Sequence, residues 1–312
     1  MIFIHYPFLY KVLNYLTRVI TLNSWSKNKF KSIISYKKTI DSVRIIDDSF
    51  IKYVQKKRNG LISKSNDIET LAIRGSYVDY GFYAPLLMNA YNLGLTSHDL
   101  YGAYYLFHNL VDGLPNLNKI VIYYSVFTSG LNLSKTNEKY RMIVYNYFFN
   151  IPLPEEINLE KRYVKYLNKK CLEIDRNSGE KIDDNYWGYD KKSYYMSASA
   201  DLRVKTHLRE NKREQDQLDW LIKLAEESNA KDIELYIVLP PFREDYKKLL
   251  PTKNELYEKL FRIKFPVKTR ILDYHDSTLF EYSDFGDTDH LNENGAIKLT
   301  KDLEKTINNY IH

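Results

Sequence analysis

A regular alternation of short apolar runs with segments of helical periodicity constrains this chain more than any other feature. The runs are Glu69-Thr-Leu-Ala-Ile-Arg-Gly75, Ala90 to Leu95, Lys119-Ile-Val-Ile-Tyr-Tyr-Ser-Val-Phe127, Ile233 to Leu239 and Thr269 to Asp273. Each is short, apolar and bounded by glycine, proline or polar residues, as buried strands are. Between them lie segments of helical pattern: an opening at Pro85 to Ala90, Ser97 to Leu110 with Leu100, Ala103, Tyr104, Phe107 and Leu110 in phase, Lys205 to Ser228, Thr252 to Ile263, and Glu293 to Tyr310. This order predicts an α/β fold: a three-layer α/β/α sandwich with a central parallel sheet, flavodoxin-like in style, covered by helices on both faces. In such sheets the functional site lies at the carboxyl ends of the strands.

Residues 128 to 203 interrupt the alternation. They hold a helical pattern at Glu160 to Leu172 and a polar, Asp- and Tyr-rich loop through Gly188 to Ser199, and read as an insertion. Residues 1–66 read as an amphipathic amino-terminal helix followed by a Lys- and Ser-rich peripheral lead-in; residues 67–312 form the α/β domain with its insertion. In the first 22 residues Phe8, Leu9, Val12, Leu13, Leu16, Val19 and Ile20 share one face, with Lys11, Asn14, Arg18 and Thr21 on the other. Lys11 and Arg18 interrupt it short of the ~18 uncharged residues of a spanning helix. No secretory signal pattern is present either. Such a helix docks on the domain's own surface or lies at a membrane interface; the expectation is a cytoplasmic protein, with peripheral contact at the inner face of the cell membrane through residues 1–23 as the second option.

Composition narrows the function. A single cysteine, Cys171, excludes an intramolecular disulfide and a thiolate-rich metal site. The 46 Lys+Arg against 40 Asp+Glu give a net charge of +6, but the basic residues are dispersed, which argues against nucleic acid as a partner. The surplus suits acidic glycans or anionic lipid head groups, and equally ordinary solubility. Tyrosine supplies 29 of 312 residues, in pairs such as Tyr104-Tyr105, Tyr123-Tyr124 and Tyr194-Tyr195. Such rings suit sugar-binding clefts; codon bias explains the number as well.

Two strand ends carry strong chemistry. The last loop reads Phe285-Gly-Asp-Thr-Asp-His-Leu-Asn-Glu-Asn-Gly295, placing Asp287 three residues before His290. A carboxylate there orients an imidazole, whose other nitrogen then takes a proton from a hydroxyl held nearby. Ser76, at the end of the first strand and the mouth of a helix, supplies that hydroxyl. The bland reading is a helix cap for Ser76 and a loop brace for Asp287 and His290. His98, His108, His207 and His275 lack matching partners and read as surface or satisfied polar residues. Asp284, Asp287 and Asp289 are acidic neighbours without a second oxygen-rich loop, so no metal is expected.

These residues resemble the SGNH (GDSL-like) hydrolase superfamily, in the style of its bacterial surface-polysaccharide esterases and O-acyltransferases. Arg74-Gly75-Ser76-Tyr-Val-Asp-Tyr80-Gly81 is similar to the family's first block, with Ser76 in the nucleophile's place, and Asp287-Thr-Asp-His290-Leu-Asn292-Glu-Asn-Gly295 to its last. Ala90-Tyr-Asn-Leu-Gly-Leu-Thr-Ser97-His-Asp-Leu looks like the second block, and Val238-Leu-Pro-Pro-Phe242 like the fourth core strand. The likeness spans about residues 69–127 and 231–310. Arg74 stands where the family usually has glycine, and the third block's Gly-x-Asn is not recognisable near Tyr123 to Ser129.

The resemblance implies a serine hydrolase or O-acetyltransferase with Ser76, Asp287 and His290 as its triad, acting on an acylated glycan of capsule or exopolysaccharide biosynthesis. No bound cofactor is implied; a transferase would use an acyl donor such as acetyl-CoA. Beside the Ser76 backbone amide, the expected oxyanion residues are Gly94 or Ser97 through their amides and Asn92 through its side chain. Arg74 would meet an anionic substrate or make a structural ion pair. In the insertion, outside the resemblance, the rings of Trp187, Tyr189, Tyr194 and Tyr195 would stack on a sugar or pin the segment to the body, and Arg203 or Lys205 would meet a carboxylate or phosphate. A non-catalytic glycan-binding or assembly protein on the same fold is the alternative.

Overall fold

The computed structural model describes residues 48–155, 157, 159–177, 187–191, 195–211 and 217–309. The amphipathic amino-terminal segment, Tyr194 and part of the insertion's polar loop lie outside these. The chain divides into residues 1–50 and 51–312; the first unit is described only at Asp48–Phe50, the start of helix α1 (Asp48–Ser63).

The second unit is built on five parallel strands: β1 (Thr70–Ile73), β2 (Ala90–Leu93), β3 (Lys119–Tyr123), β4 (Glu234–Leu239) and β5 (Thr269–Asp273). Their order in the sheet is β2-β1-β3-β4-β5. Helices flank the sheet on both sides, giving the three-layer α/β/α sandwich. Leu71, Ala72 and Ile73, Ile120 to Ile122 and Leu235 to Leu239 are all buried, which is why these runs carry almost no polar residue. The sheet order changes direction at β1 and β3, the crevice where open α/β sheets bind ligands.

Ser76 begins a short helix α2 (Ser76–Gly81), and the opening predicted at Pro85 is instead one 3₁₀ turn, Ala84–Leu86. Helix α3 (Leu100–Leu110) starts at an Asp99 cap whose carboxylate accepts from Gly102 N at 2.8 Å. The insertion contains α4 (Arg141–Phe149) and α5 (Lys161–Arg176). The residues read as one helix from 205 to 228 fall in α6 (Ala200–Asn211) and α7 (Gln217–Ala230), with 212–216 between them outside the described set. A one-turn helix α8 (Glu244–Lys247), then α9 (Lys253–Phe261) and α10 (Glu293–Asn309), complete the chain. Thr252 and Glu255 close a reciprocal capping box on α9.

The stretch read as a peripheral lead-in contributes to the core. Ile51, Val54, Leu61 and even Lys57 of α1 are buried, and Lys57 Nζ meets Asp79 Oδ1 at 2.7 Å beneath α2. A lysine on a helix face gave no sign of burial because its partner lies on another element. Strand β2 is an edge strand yet fully buried. The Trp187 carbonyl accepts its Asn92 N–H at 2.8 Å, so the insertion shields the open edge. Gly188, at φ +80, makes that approach possible, since a Cβ there would stand 2.3 Å from the Asn92 oxygen.

Candidate active site

The end of β1 and the loop after β5 meet as the sequence pattern requires. Ser76 Oγ lies 2.9 Å from His290 Nε2, and His290 Nδ1 lies 2.9 Å from Asp287 Oδ2. Asp287 also accepts the backbone N–H groups of Asp289 at 3.0 Å and His290 at 2.7 Å. The loop-bracing and imidazole-orienting roles therefore coexist in one carboxylate. An antiparallel bridge between Phe285 and Leu291 closes the loop beneath it. Burial pushes the Asp287 carboxyl upward, but the hydrogen bond and charge of His290 outweigh it and hold the group below the usual carboxylate range.

Helix α2 brings two rings along with the nucleophile. The Tyr77 and Tyr80 rings stand 4.8 and 4.9 Å from the His290 ring, so one turn supplies the hydroxyl and brackets the imidazole that serves it. Ser76 is the first helical residue rather than the cap, and helix geometry leaves its amide without an intrahelical acceptor.

Ser76, His290, Asp287 and Tyr80 line a cavity of about 450 Å³ shared with Ser97, Phe127, Glu138, Arg141 and Tyr195. Of the three expected oxyanion residues, only Ser97 reaches it. Ser97 sits at φ +61; its hydroxyl accepts from Arg141 Nη1 at 2.8 Å and donates to Glu138. Asn92 is fully buried elsewhere. Its amide nitrogen donates to the carbonyls of Val78 (2.9 Å) and Phe82 (2.7 Å), and its oxygen accepts the Gly94 amide at 2.9 Å. The Asn92 donor is spent on Val78 and Phe82 and the Gly94 amide on the Asn92 oxygen, so neither is an oxyanion donor, and a Cβ at Gly94 would lie 2.3 Å from Asp79 N. The side chain of Phe127, on the loop after β3, brings a ring but no hydrogen-bond donor to the cavity.

None of Arg74, Trp187 and Tyr189, the expected substrate contacts, lines the Ser76 cavity. Arg74 is 2% exposed and donates to the Tyr123 carbonyl, and burial lowers its guanidinium to about 10. Its φ of +89 is one that glycine adopts without strain. Trp187 lies under Lys64, with Nζ 4.0 Å from the ring centre. Tyr189 is 3% exposed and packs edge-on against Tyr83 at 4.8 Å. These rings pin the insertion to the body. Lys205 pairs with Asp201 on the surface.

Two residues at the site have roles that local sequence does not signal. Arg203 of α6 donates from Nε to Asp289 Oδ1 at 2.8 Å and from Nη2 to Oδ2 at 2.6 Å, so it is committed to the protein rather than to a ligand. Tyr77 Oη donates to Asp289 Oδ2 at 2.8 Å, and that oxygen lies 3.7 Å from His290 Nδ1. Burial pushes the Asp289 carboxyl upward, yet His290, His207 and Arg203 outweigh it and hold it far below the ordinary range. Asp287, Asp289 and His290 form the kind of cluster that could hold a cation, but their facing atoms are engaged by one another, by Arg203 and by Tyr77. His207 is buried against Phe127 and accepts from or donates to Tyr246 Oη at 2.6 Å; burial lowers it to about 3. His98 is 1% exposed and likewise lowered to about 3 by burial and by Arg74. His108 faces Glu227 on the surface and His275 lies against Tyr257.

No family model and no curated protein matches the chain. Among solved structures it is similar to one described as a candidate platelet activating factor from Streptococcus pneumonia, at 12% identity and a TM-score of 0.40, over 86% of this chain and 99% of that one. A likeness of that strength carries no information about chemistry.

Proposed function

We propose that the chain is a serine-dependent esterase or O-acyltransferase acting on acyl groups, acetyl in the first place, of a bacterial surface glycan. The observation that carries this reading is the unbroken relay from Ser76 Oγ through His290 Nε2 and Nδ1 to Asp287, with steps of 2.9 Å each. His290 takes the Ser76 proton as Oγ attacks the acyl carbonyl carbon, and Asp287 stabilises the imidazolium. The tetrahedral intermediate collapses, the proton passes to the departing alcohol oxygen, and the acyl group rests on Ser76. Water or a sugar hydroxyl, deprotonated by the same imidazole, then attacks that ester and releases the acyl group. The amides of Ser76 and Ser97 are the oxyanion donors in this scheme.

Phe127 favours a second reading. Loss of one oxyanion donor costs about a hundredfold or more in rate, and a ring rather than an asparagine on the loop after β3 suits a glycan-binding or assembly protein with a silent site. A screen of acetylated and non-acetylated capsular oligosaccharides, with and without acetyl-CoA, tests the enzyme reading. Acetate release or transfer that disappears in Ser76→Ala supports it; turnover that survives Ser76→Ala and His290→Ala removes it.

Among the described residues no helix is long and apolar enough to cross a membrane. Peripheral contact at the inner face of the cell membrane through residues 1–23 is part of the proposal. Vesicle flotation of the full chain, lost on truncation of that segment, would support it.

A further inference from the structure

His290 faces two carboxylates rather than one. Asp287 Oδ2 stands 2.9 Å from its Nδ1, and Asp289 Oδ2 lies 3.7 Å from the same nitrogen. The second distance is too long for a hydrogen bond and short enough for one charge to act on another. Asp289 is 1% exposed, and four donors hold it. Its Oδ1 accepts from Arg203 Nε at 2.8 Å and from Thr288 Oγ1 at 3.0 Å, and its Oδ2 from Arg203 Nη2 at 2.6 Å and from Tyr77 Oη at 2.8 Å. A carboxylate has about four such acceptor positions, so this one is saturated by the protein.

Tyr77 links the carboxylate to the imidazole a second time. Its ring lies 4.8 Å from that of His290 and is wedged by Phe127 at 5.9 Å and, edge-on, by Phe242 at 6.0 Å. The hydroxyl bond to Asp289 therefore fixes the surface against which His290 packs. The charged and titratable groups around the imidazole come from three elements. Its own loop supplies Asp287 and Asp289, and α2 supplies Tyr77 and Tyr80. Helix α6 supplies Arg203 and, one turn on, His207, which burial keeps neutral by lowering it to about 3. Glu138, Arg141 and Glu210 line the same cavity.

We propose that Asp289 is a positioning residue for His290 and that Arg203 sets how strongly it acts: the carboxylate fixes the Tyr77 ring against the imidazole, while the guanidinium cancels a charge that would otherwise hold the imidazole protonated. A protonated imidazole cannot take the Ser76 proton, so two uncompensated carboxylates beside it would weaken the base at neutral pH. Helix α6 thereby governs the basicity of His290 through a residue other than His290 itself. The inference rests on the proposed roles of Ser76 and His290. It goes beyond bracing, since a pair that only ties α6 to the loop leaves the titration of His290 where it was when the charges are removed.

The test is an NMR pH titration of the full chain carrying isotope-labelled histidine, with the His290 signal assigned by its loss in His290→Ala. Asp289→Asn should lower the His290 midpoint by about one pH unit, and Arg203→Met should raise it by about as much. Arg203→Lys keeps the charge and should leave the midpoint near that of the wild type. The double variant Arg203→Met/Asp289→Asn should fall between the two single ones, and each single variant decides alone where the other fails to fold. Midpoints equal to the wild type in folded variants, or moved in the same direction by both substitutions, would overturn the assignment. The rate at which a phosphonate probe labels Ser76 is followed against pH in the same chains, and its acid limb should shift in step. Because the titration reads the imidazole directly, it decides the roles of Asp289 and Arg203 whether or not Ser76 is labelled, whereas a wild-type chain that stays unlabelled removes the nucleophile instead.

Discussion

Arg203 grips both carboxylate oxygens of Asp289, at 2.8 and 2.6 Å, and Asp289 is the residue immediately before His290. Helix α6, where the insertion ends, is thereby bolted to the loop that carries the imidazole. Replacing Arg203 by methionine leaves a buried carboxylate without its main partner, which costs about 3–5 kcal/mol. Urea unfolding should show that loss, and Asp289→Asn in the same chain should recover part of it. Additive losses in this double-mutant cycle would mean that the two residues do not act as a pair.

The fold should weaken as the solution is acidified, in two windows. Buried His98 and His207, each lowered to about 3 from an ordinary 6.5, bind protons in the unfolded chain before the folded one. Stability therefore rises with pH between about 3 and 6.5, by at most about 1.4 kcal/mol per pH unit for each histidine. Asp287 and Asp289, held below the ordinary 3.8, contribute stability that is full above that value and is lost as pH falls through their lower folded values. Denaturation midpoints at pH 7, 6, 5 and 4 should decline, and His98→Leu should flatten the decline between pH 6 and 4. An unchanged slope in that variant would contradict the burial argument.

Tyr189, 3% exposed against Tyr83, is scaffold. Tyr189→Ala should lower stability by about 3 kcal/mol or more, as large-to-small changes in packed sites do, while glycan affinity measured well below the melting temperature stays the same. Lost affinity in a protein of unchanged melting temperature would return this ring to the ligand.

The strands and the Asp287–His290 pair were legible because each is local. Thr269 to Asp273 announces itself by its run, and a carboxylate three residues before an imidazole reaches it on any tight turn. Arg203 could not be paired with Asp289 from sequence, since 86 residues separate them and the polar loop from Gly188 to Ser199 just before it has no periodicity to place it. Asn92 misled because a polar residue inside an apolar strand looks functional; here it holds two carbonyls at the end of α2. Helix α4 escaped because Met142, Ile143, Val144, Tyr145, Phe148 and Phe149 are all buried, and a helix apolar nearly all round shows no stripe. Its first residue, Arg141, lines the site for that reason unannounced. Trp187 and Tyr189 were set at the cleft by the insertion's place in the chain order, whereas the segment instead covers the edge of β2 and sends Tyr195 to the cavity.

The central claim is that Ser76 is an activated nucleophile, and covalent labelling tests it most directly. Incubation of the full chain with a fluorophosphonate, followed by intact-mass and peptide mass spectrometry, should give one adduct, on Ser76, whose rate falls by a hundredfold or more in His290→Ala, on the order of a lost general base. Folded protein that stays unlabelled, or that is labelled elsewhere or equally fast without His290, would contradict the account.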